Sequence, residues 1–152
     1  MKEPPSSGDS FADDYLPHLL VRAAHSAFAG FEAELRKEGV KVPVWWVLVV
    51  LLERTTETVT GLANRCALQQ PTVSKLLDRM ERQGLICRTM DQHDHRVIRT
   101  ALTAKGGVLA SKLTEVAKHH EAALLGRHPQ AQALKETLRA ISAEHNRASR
   151  LY

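Results

Sequence analysis

Gln70-Pro71-Thr72-Val73-Ser74-Lys75-Leu76-Leu77-Asp78-Arg79-Met80-Glu81 is the segment whose reading decides the fold. Val73, Leu76, Leu77 and Met80 stand at i, i+3, i+4 and i+7, the period of a helix with one apolar face. Pro71 suits a first turn, where amides have no intrahelical partner, and Gly84 supplies the stop. Upstream, Thr58 or Thr60 can cap a short helix carrying Leu62 and Ala63, after a polar loop at Thr55-Thr56-Glu57. The connection Cys66-Ala67-Leu68-Gln69 between the two helices is tight. Two short helices joined in this way form a helix-turn-helix, whose second helix lies in the DNA major groove. Downstream, the β-like runs 85–90 and 97–102 flank a polar tip, Asp91-Gln92-His93-Asp94-His95-Arg96. That pattern is a hairpin with a long turn, a wing beside the helix pair.

Outward from this centre the chain is helical. Residues 44–54 are apolar almost all round, which marks a helix enclosed by other elements. Residues 15–38 repeat Leu16, Leu19, Leu20, Ala23, Ala27, Phe28, Phe31 and Leu35 at steps of three and four. Asp13 or Asp14 can cap this helix, Pro17 fits its first turn and Gly39 ends it. Thr103 can cap a long helix over 104–125, with Val108, Leu109, Leu113, Val116, Ala117, His120 and Leu124 on its inner stripe. Gly126 and Pro129 separate it from a last helix over 130–149, carrying Leu134, Leu138 and Ile141. One protomer has trouble covering the outer helices, and a second copy would cover them. Residues 1–10, rich in Pro, Ser and charge, are expected to form a disordered tail before a single domain over 11–152. The expected fold is therefore mainly α with a small β-hairpin wing. A winged helix-turn-helix fills about 44–103, between dimerisation helices at about 14–38 and 104–149.

Composition agrees. The 152 residues are 43% hydrophobic and 25% charged, an ordinary balance for a soluble globular chain, and aromatics are only 5%, which favours helix over a β-sandwich. Seven basic residues against four acidic ones fall between Arg65 and Arg99, whereas residues 1–64 hold six basic and nine acidic. A basic middle between less basic flanks is the footprint of a surface that meets a polyanion. Cys66 and Cys87 cannot make a disulfide framework and no leader opens the chain, so a cytoplasmic location is expected. The apolar run 42–52 is broken by Pro43 and too short for a bilayer, so no membrane partner is expected.

The ordered segments Leu62-Ala63, residues 70–81, Gly84-Leu85-Ile86-Cys87-Arg88, Asp94-His95-Arg96 and Leu102-Thr103-Ala104-Lys105-Gly106 resemble the MarR family of winged-helix transcriptional regulators. They match its recognition helix, its "GLV-x-R" lead-in to the wing, its "D-x-R" wing tip and the "LT-x-x-G" start of the next helix. The resemblance covers roughly residues 15–149. It implies an obligate homodimer with interlocked terminal helices, whose two winged lobes bind a pseudopalindromic double-stranded DNA operator. Two departures stand out. Gln69 and Gln70 occupy the head of the recognition helix, where the family commonly has Ser or Thr. The wing carries His where many relatives carry Arg or Lys, so its grip on DNA is expected to weaken as pH rises.

Gln70, Thr72, Ser74, Lys75 and Arg79 lie opposite the apolar face of the recognition helix. Gln pairs with adenine, Lys donates to guanine, and Thr or Ser bonds bases or phosphates. In the wing, Arg96 can enter a narrow minor groove, and by resemblance Asp94 fixes its geometry; His95 stands between them as a phosphate donor. His18, Arg22 and His25 form a polar stripe at i, i+4 and i+7 on the first long helix. In the family, effectors commonly lodge between the dimerisation helices and the winged lobe, where Trp45 and Trp46 would stand. Guanidinium, imidazoles and indoles suit a small aromatic or phenolic carboxylate, which would release the protein, as a repressor, from its operator. A redox- or metal-responsive regulator of the same fold is the nearest alternative. Both cysteines lie in the helix-turn-helix and wing, however, while the peroxide-sensing relatives carry theirs in the first helix. Adjacent His119 and His120 point to different sides of a helix. A winged-helix protein-interaction module without DNA binding is a further alternative, against which Lys75, Arg79 and Arg96 argue. No phosphate loop, nucleophile motif or metal motif is present, so neither an enzyme nor a cofactor is expected.

Overall fold

The computed structural model describes residues 10–148, with side chains as far as residue 143. The expected tail, apart from Ser10, and Ser149 of the expected last helix lie outside the described residues. The chain divides into two compact units, one running to Val116 and the other from Ala117 onward. In chain order the elements are α1 (Phe11–Asp14), α2 (Leu16–Lys37), α3 (Val42–Arg54), β1 (Thr56–Thr58), α4 (Val59–Cys66), α5 (Gln70–Arg82), β2 (Ile86–Met90), β3 (Ile98–Leu102), α6 (Ala104–Arg127) and α7 (Ala131–Ala148).

The first unit is built around α3, which packs against α2, α4, α5, β1 and β3. Val44, Trp45, Val47, Leu48 and Leu51 of this helix are buried, while Trp46 and Leu52 reach solvent, so it is enclosed on most sides rather than all. Leu62 from α4 and Val73, Leu77 and Met80 from α5 meet it with no exposed surface. Full burial of each such side chain contributes about 2–3 kcal/mol. These contacts seat α5 with its apolar stripe inward and its polar face free. Thr58 caps α4 by accepting from Gly61 N at 3.0 Å. Ala67 closes α4 in the left-handed region at φ 53°, which makes the turn to α5 possible in few residues. Gln69 precedes α5 as an N-cap whose side chain makes no capping bond, Pro71 lies in the first turn, and Gly84 ends the helix at φ 70°.

The sheet is antiparallel in the order β1-β3-β2. The wing pairs Ile86 with Leu102 and Met90 with Ile98, as the two β-like runs imply. The third strand corrects the expectation of a loop at 55–57, because Thr56, Glu57 and Thr58 pair with Ala101, Thr100 and Arg99. Thr55 turns the chain sharply into this strand, at φ 67° and ψ −52°. Thr100, the middle residue of β3, is fully buried and its Oγ1 has no hydrogen-bond partner among the described residues.

Other expectations need correction at the helix ends. Asp13 and Asp14 belong to the extra turn α1 and do not cap α2, whose N-cap is Tyr15. Within α6, Thr103 is the cap, accepting from Gly106 N at 3.1 Å. Its buried stripe is Gly106, Ala110 and Leu113, whereas Val108 is 72% exposed and faces away from the core. Of the apolar repeat in α2, only Phe31 and Leu35 are buried, and Leu16 and Leu19 are exposed, as is Val21 outside the repeat. The second unit holds the distal part of α6 and α7, where Lys135 pairs with Glu121 and Leu134 and Ile141 stand exposed.

Candidate nucleic-acid interface

The burial of Val73, Leu77 and Met80 leaves Gln70, Thr72, Lys75 and Arg79 exposed along α5, with Ser74 half-buried beside them. These are the five side chains expected on the reading face. Gln70 Nε2 donates to Thr60 Oγ1 at 2.8 Å, which ties the head of α5 to α4 and compensates for the absent cap. The turn below is stiffened by Glu57, which accepts from Thr58 N at 2.9 Å and from Arg65 Nε at 3.0 Å. The Thr58 amide and the Arg65 guanidinium hold that carboxyl below the usual carboxylate range, against a smaller opposing effect of burial.

The wing is coupled to α5 through Arg88 on β2. Its guanidinium reaches Glu81 through Nε at 3.1 Å and Nη2 at 2.5 Å, and Asp78 through Nη2 at 2.8 Å. The Arg88 bonds keep the Glu81 carboxyl ionised below its ordinary range. Arg88 is legible in the sequence only as part of a motif; its partners on α5 are not. It acts as a brace between helix and wing, since its side chain is turned inward onto two carboxylates.

The wing tip is organised by two aspartates. Asp91 Oδ1 accepts from His93 N at 2.8 Å and Asp94 N at 3.2 Å, while Oδ2 takes the Arg99 guanidinium. With Arg99 and two amides bonded to it, the Asp91 carboxyl is lowered from 3.8 to about 2. Asp94 Oδ1 accepts from Arg96 N at 3.0 Å and Arg96 Nε at 3.1 Å, and its Oδ2 lies 3.4 Å from Nη2. The fork holds Arg96 in one direction while 91% of its side chain stays exposed. An exposed pair of this kind adds little stability, so its consequence is orientation. His93 and His95 are exposed on the same tip. Sequence reasoning misses the Asp91–Arg99 pair, although an Asp two residues before a turn amide is a known Asx signal.

The polar stripe on α2 is differently placed. His18 Nδ1 donates to the Ala12 carbonyl at 2.5 Å, Arg22 Nη1 pairs with Asp13 Oδ1 at 3.2 Å, and His25 is exposed. Trp45 is buried edge-on to Phe31, with ring centres 5.3 Å apart, and Trp46 meets Phe28 at 5.8 Å in the same manner. The indoles are 6.4 Å apart. Trp45 is thus a core residue and Trp46 the one with an exposed edge. Burial pushes the half-buried Cys66 thiol up, away from the reactive thiolate, and Cys87 is exposed on the wing strand. Among the described residues no three His, Cys, Asp or Glu side chains converge as a metal site, and no helix is long and apolar enough to cross a membrane.

Comparison with known proteins bears on this arrangement. A family model described as MarR family matches residues 38–97. The crystal structure of the MarR family transcriptional regulator SPO1453 from Silicibacter pomeroyi DSS-3 superposes with a TM-score of 0.80 at 32% identity, covering 88% of this chain and 96% of that one. The organic hydroperoxide resistance transcriptional regulator of Bacillus subtilis (strain 168) is 29% identical over 104 residues, 68% of this chain and 71% of that protein. NadR in complex with 4-hydroxyphenylacetate shares the fold, with a TM-score of 0.73 at 22% identity over 93% of this chain and 98% of that one.

Proposed function

The chain belongs to the MarR family of transcriptional regulators, which are not enzymes, and from that premise we propose that it is a homodimeric, cytoplasmic repressor released from its operator by a small aromatic carboxylate. The observation that carries the reading is the pairing of a free polar face on α5 with a wing arginine held by Asp94. A helix seated by its apolar stripe offers Gln70, Thr72, Ser74 and Lys75 to base edges in the major groove, with Arg79 one turn beyond. Arg96, with His95 beside it, reaches the adjacent minor groove, where a narrow groove concentrates negative potential.

A second copy supplies the symmetry. Leu16, Leu19 and Val21 of α2 and Leu134 and Ile141 of α7 are exposed, and burying them against a partner supports a dimer. Two lobes then meet half-sites about one helical turn, ~10 bp, apart. The effector class draws support from NadR, whose complex holds 4-hydroxyphenylacetate. In this chain the expected docking place comprises His18, Arg22 and His25 of α2 with Trp46, whose edge is exposed, while the buried Trp45 stands behind as core. The acid would displace the Arg22–Asp13 pair, since guanidinium takes a carboxylate bidentately. Release needs only a preference of the acid for a lobe spacing that misfits the operator, on the order of 1–3 kcal/mol.

Selection of bound duplexes from a random-sequence pool, followed by footprinting, tests the proposal. Two protected half-sites related by a dyad are expected. Recovery of no sequence tighter than the starting pool would contradict it.

A further inference from the structure

Of the five side chains on the reading face of α5, Gln70 is the one whose end group is bonded to another side chain among the described residues. Its Nε2 donates to Thr60 Oγ1 at 2.8 Å, which joins the first residue of α5 to the first turn of α4. Both partners are exposed, and a hydrogen bond open to water adds little net stability. The seating of α5 does not depend on it, since Val73, Leu77 and Met80 have no exposed surface. Its larger consequence is the direction of the Gln70 amide. That amide is also well placed to meet a base, because helical side chains lean toward the N-terminus and the first residues of a recognition helix lie against base edges.

A primary amide has two N–H donors and one carbonyl acceptor, so an unheld amide turns over and accommodates bases of opposite pattern. Adenine presents a donor beside an acceptor, N6–H and N7, and engages both ends of an amide at once. Guanine presents two acceptors, O6 and N7, and meets Oε1 with repulsion. Thr60 Oγ1 takes one N–H of Gln70 and leaves the other N–H with Oε1, the pair that adenine needs. The hydroxyl of Thr60 still has its own proton to donate. In a helix-turn-helix the helix before the recognition helix crosses the DNA backbone, where phosphate oxygens only accept. A phosphate that takes the Thr60 proton turns the Oγ1 lone pair toward a donor, and so holds Gln70 with its N–H, not its carbonyl, facing Thr60.

We propose that Thr60 is a positioning residue for sequence readout: its hydroxyl accepts from Gln70, donates to a phosphate, and thereby commits the Gln70 amide to adenine at one base pair of each half-site. The proposal rests on the DNA-binding reading above and adds to it the residue and the base that set one position of the operator. It parallels the wing, where Asp94 directs Arg96 in the same manner.

The test repeats the selection from a random-sequence pool with wild type, Gln70→Ala, Thr60→Val, Thr60→Ala and Thr60→Ser, and then measures affinity for the selected site with each of the four bases at the position concerned. Gln70→Ala locates that position, as the base pair at which preference disappears. Wild type is expected to favour adenine there by roughly tenfold or more. Thr60→Val and Thr60→Ala, which remove the hydroxyl, should lose that preference while the other positions keep theirs, and Thr60→Ser should restore it. Thr60 does not cap α4, a role that Thr58 holds, so melting temperatures should stay unchanged. In the Gln70→Ala background, Thr60→Val should cause no further loss of discrimination, because the two side chains act as one unit.

A base other than adenine at that position, undiminished preference in Thr60→Val and Thr60→Ala, no rescue by Thr60→Ser, or an equal loss at every position would each overturn the role of Thr60. So would a Gln70→Ala variant that keeps every base preference. Failure of wild type to enrich any sequence overturns the DNA-binding reading, and this inference with it. An enriched operator whose base preferences ignore Thr60 overturns the inference alone.

Discussion

Two neighbouring glycines in the first turn of α6 should respond to the same substitution with opposite signs. A Cβ added at Gly106 would lie 1.9 Å from the Leu85 carbonyl oxygen and 2.9 Å from the carbon that bears it. The obstacle is backbone, so no side-chain rotation relieves it. That carbonyl also accepts from Thr103 N at 3.1 Å, and the same junction holds Thr103 Oγ1 on the Gly84 carbonyl at 2.6 Å. Gly106→Ala therefore forces α6 off the turn that starts the wing. Overpacking costs about 1–3 kcal/mol and a broken buried hydrogen bond about 1–3 more, so a loss of roughly 2–6 kcal/mol is expected. At Gly107 a Cβ meets nothing within 4 Å. There the helix simply gains the better helix former, and Gly107→Ala should stabilise by about 1 kcal/mol. In thermal unfolding at one fixed protomer concentration, the first variant should melt roughly 10 °C lower and the second about 2–4 °C higher. Equal shifts of the same sign would refute the docking of α6 against Leu85.

Other consequences follow from single groups. Thr100→Val replaces a buried, unpartnered hydroxyl with a methyl of similar size and should raise stability by about 1 kcal/mol in urea titrations; a loss would mean that the hydroxyl has a bonded role. The Asp91 carboxyl is lowered from 3.8 to about 2, so its bonds to Arg99 and the two tip amides are complete above the ordinary value and are lost as pH falls towards the lower one. Protection of the His93 and Asp94 amides, taken as exchange relative to the intrinsic rate at each pH, should fall across that window, and Asp91→Ala, which removes the acceptor, should leave both amides unprotected at every pH; protected amides in the variant would contradict the assignment. Arg88→Ala unlinks β2 from Asp78 and Glu81, and should weaken operator binding while every side chain proposed to face DNA stays in place, so the salt dependence should keep its slope while affinity falls by roughly tenfold. A slope that falls with the affinity would place Arg88 on a phosphate instead.

What can be read in the sequence is what depends on local period and local capping. Val73, Leu77 and Met80 announce α5 because a helix repeats its buried face every third or fourth residue, and Thr58 and Thr103 announce the helices they cap. The Asp94–Arg96 fork is visible through the family pattern, and its two-residue spacing is local. What stays hidden depends on packing between distant parts of the chain. β1 has three residues and no alternating apolar pattern; it is a strand only because the edge of β3 offers it a partner. The Arg88 brace joins residues seven and ten positions apart on different elements, which no periodicity reveals. Val108 reads as core because it is apolar, while Gly106 and Ala110, small enough to let α6 approach the Leu85 turn, do not advertise their burial by size. On α2 the polar stripe is legible, but not the extra turn α1 that pairs Asp13 with Arg22.

That the free face of α5 and the wing tip bind DNA together is tested most directly by fluorescence anisotropy across a salt series. The probe is a duplex from upstream of the protein's own coding sequence or from the selected pool, measured with wild type, Lys75→Ala and Arg96→Ala. Wild type should bind tightly with an affinity that falls steeply with salt, and the slope should drop by about one in each variant if the missing cation had neutralised one phosphate. Equal affinity and equal slope in all three proteins would contradict the DNA-binding role, because neither α5 nor the wing would then be touching the duplex.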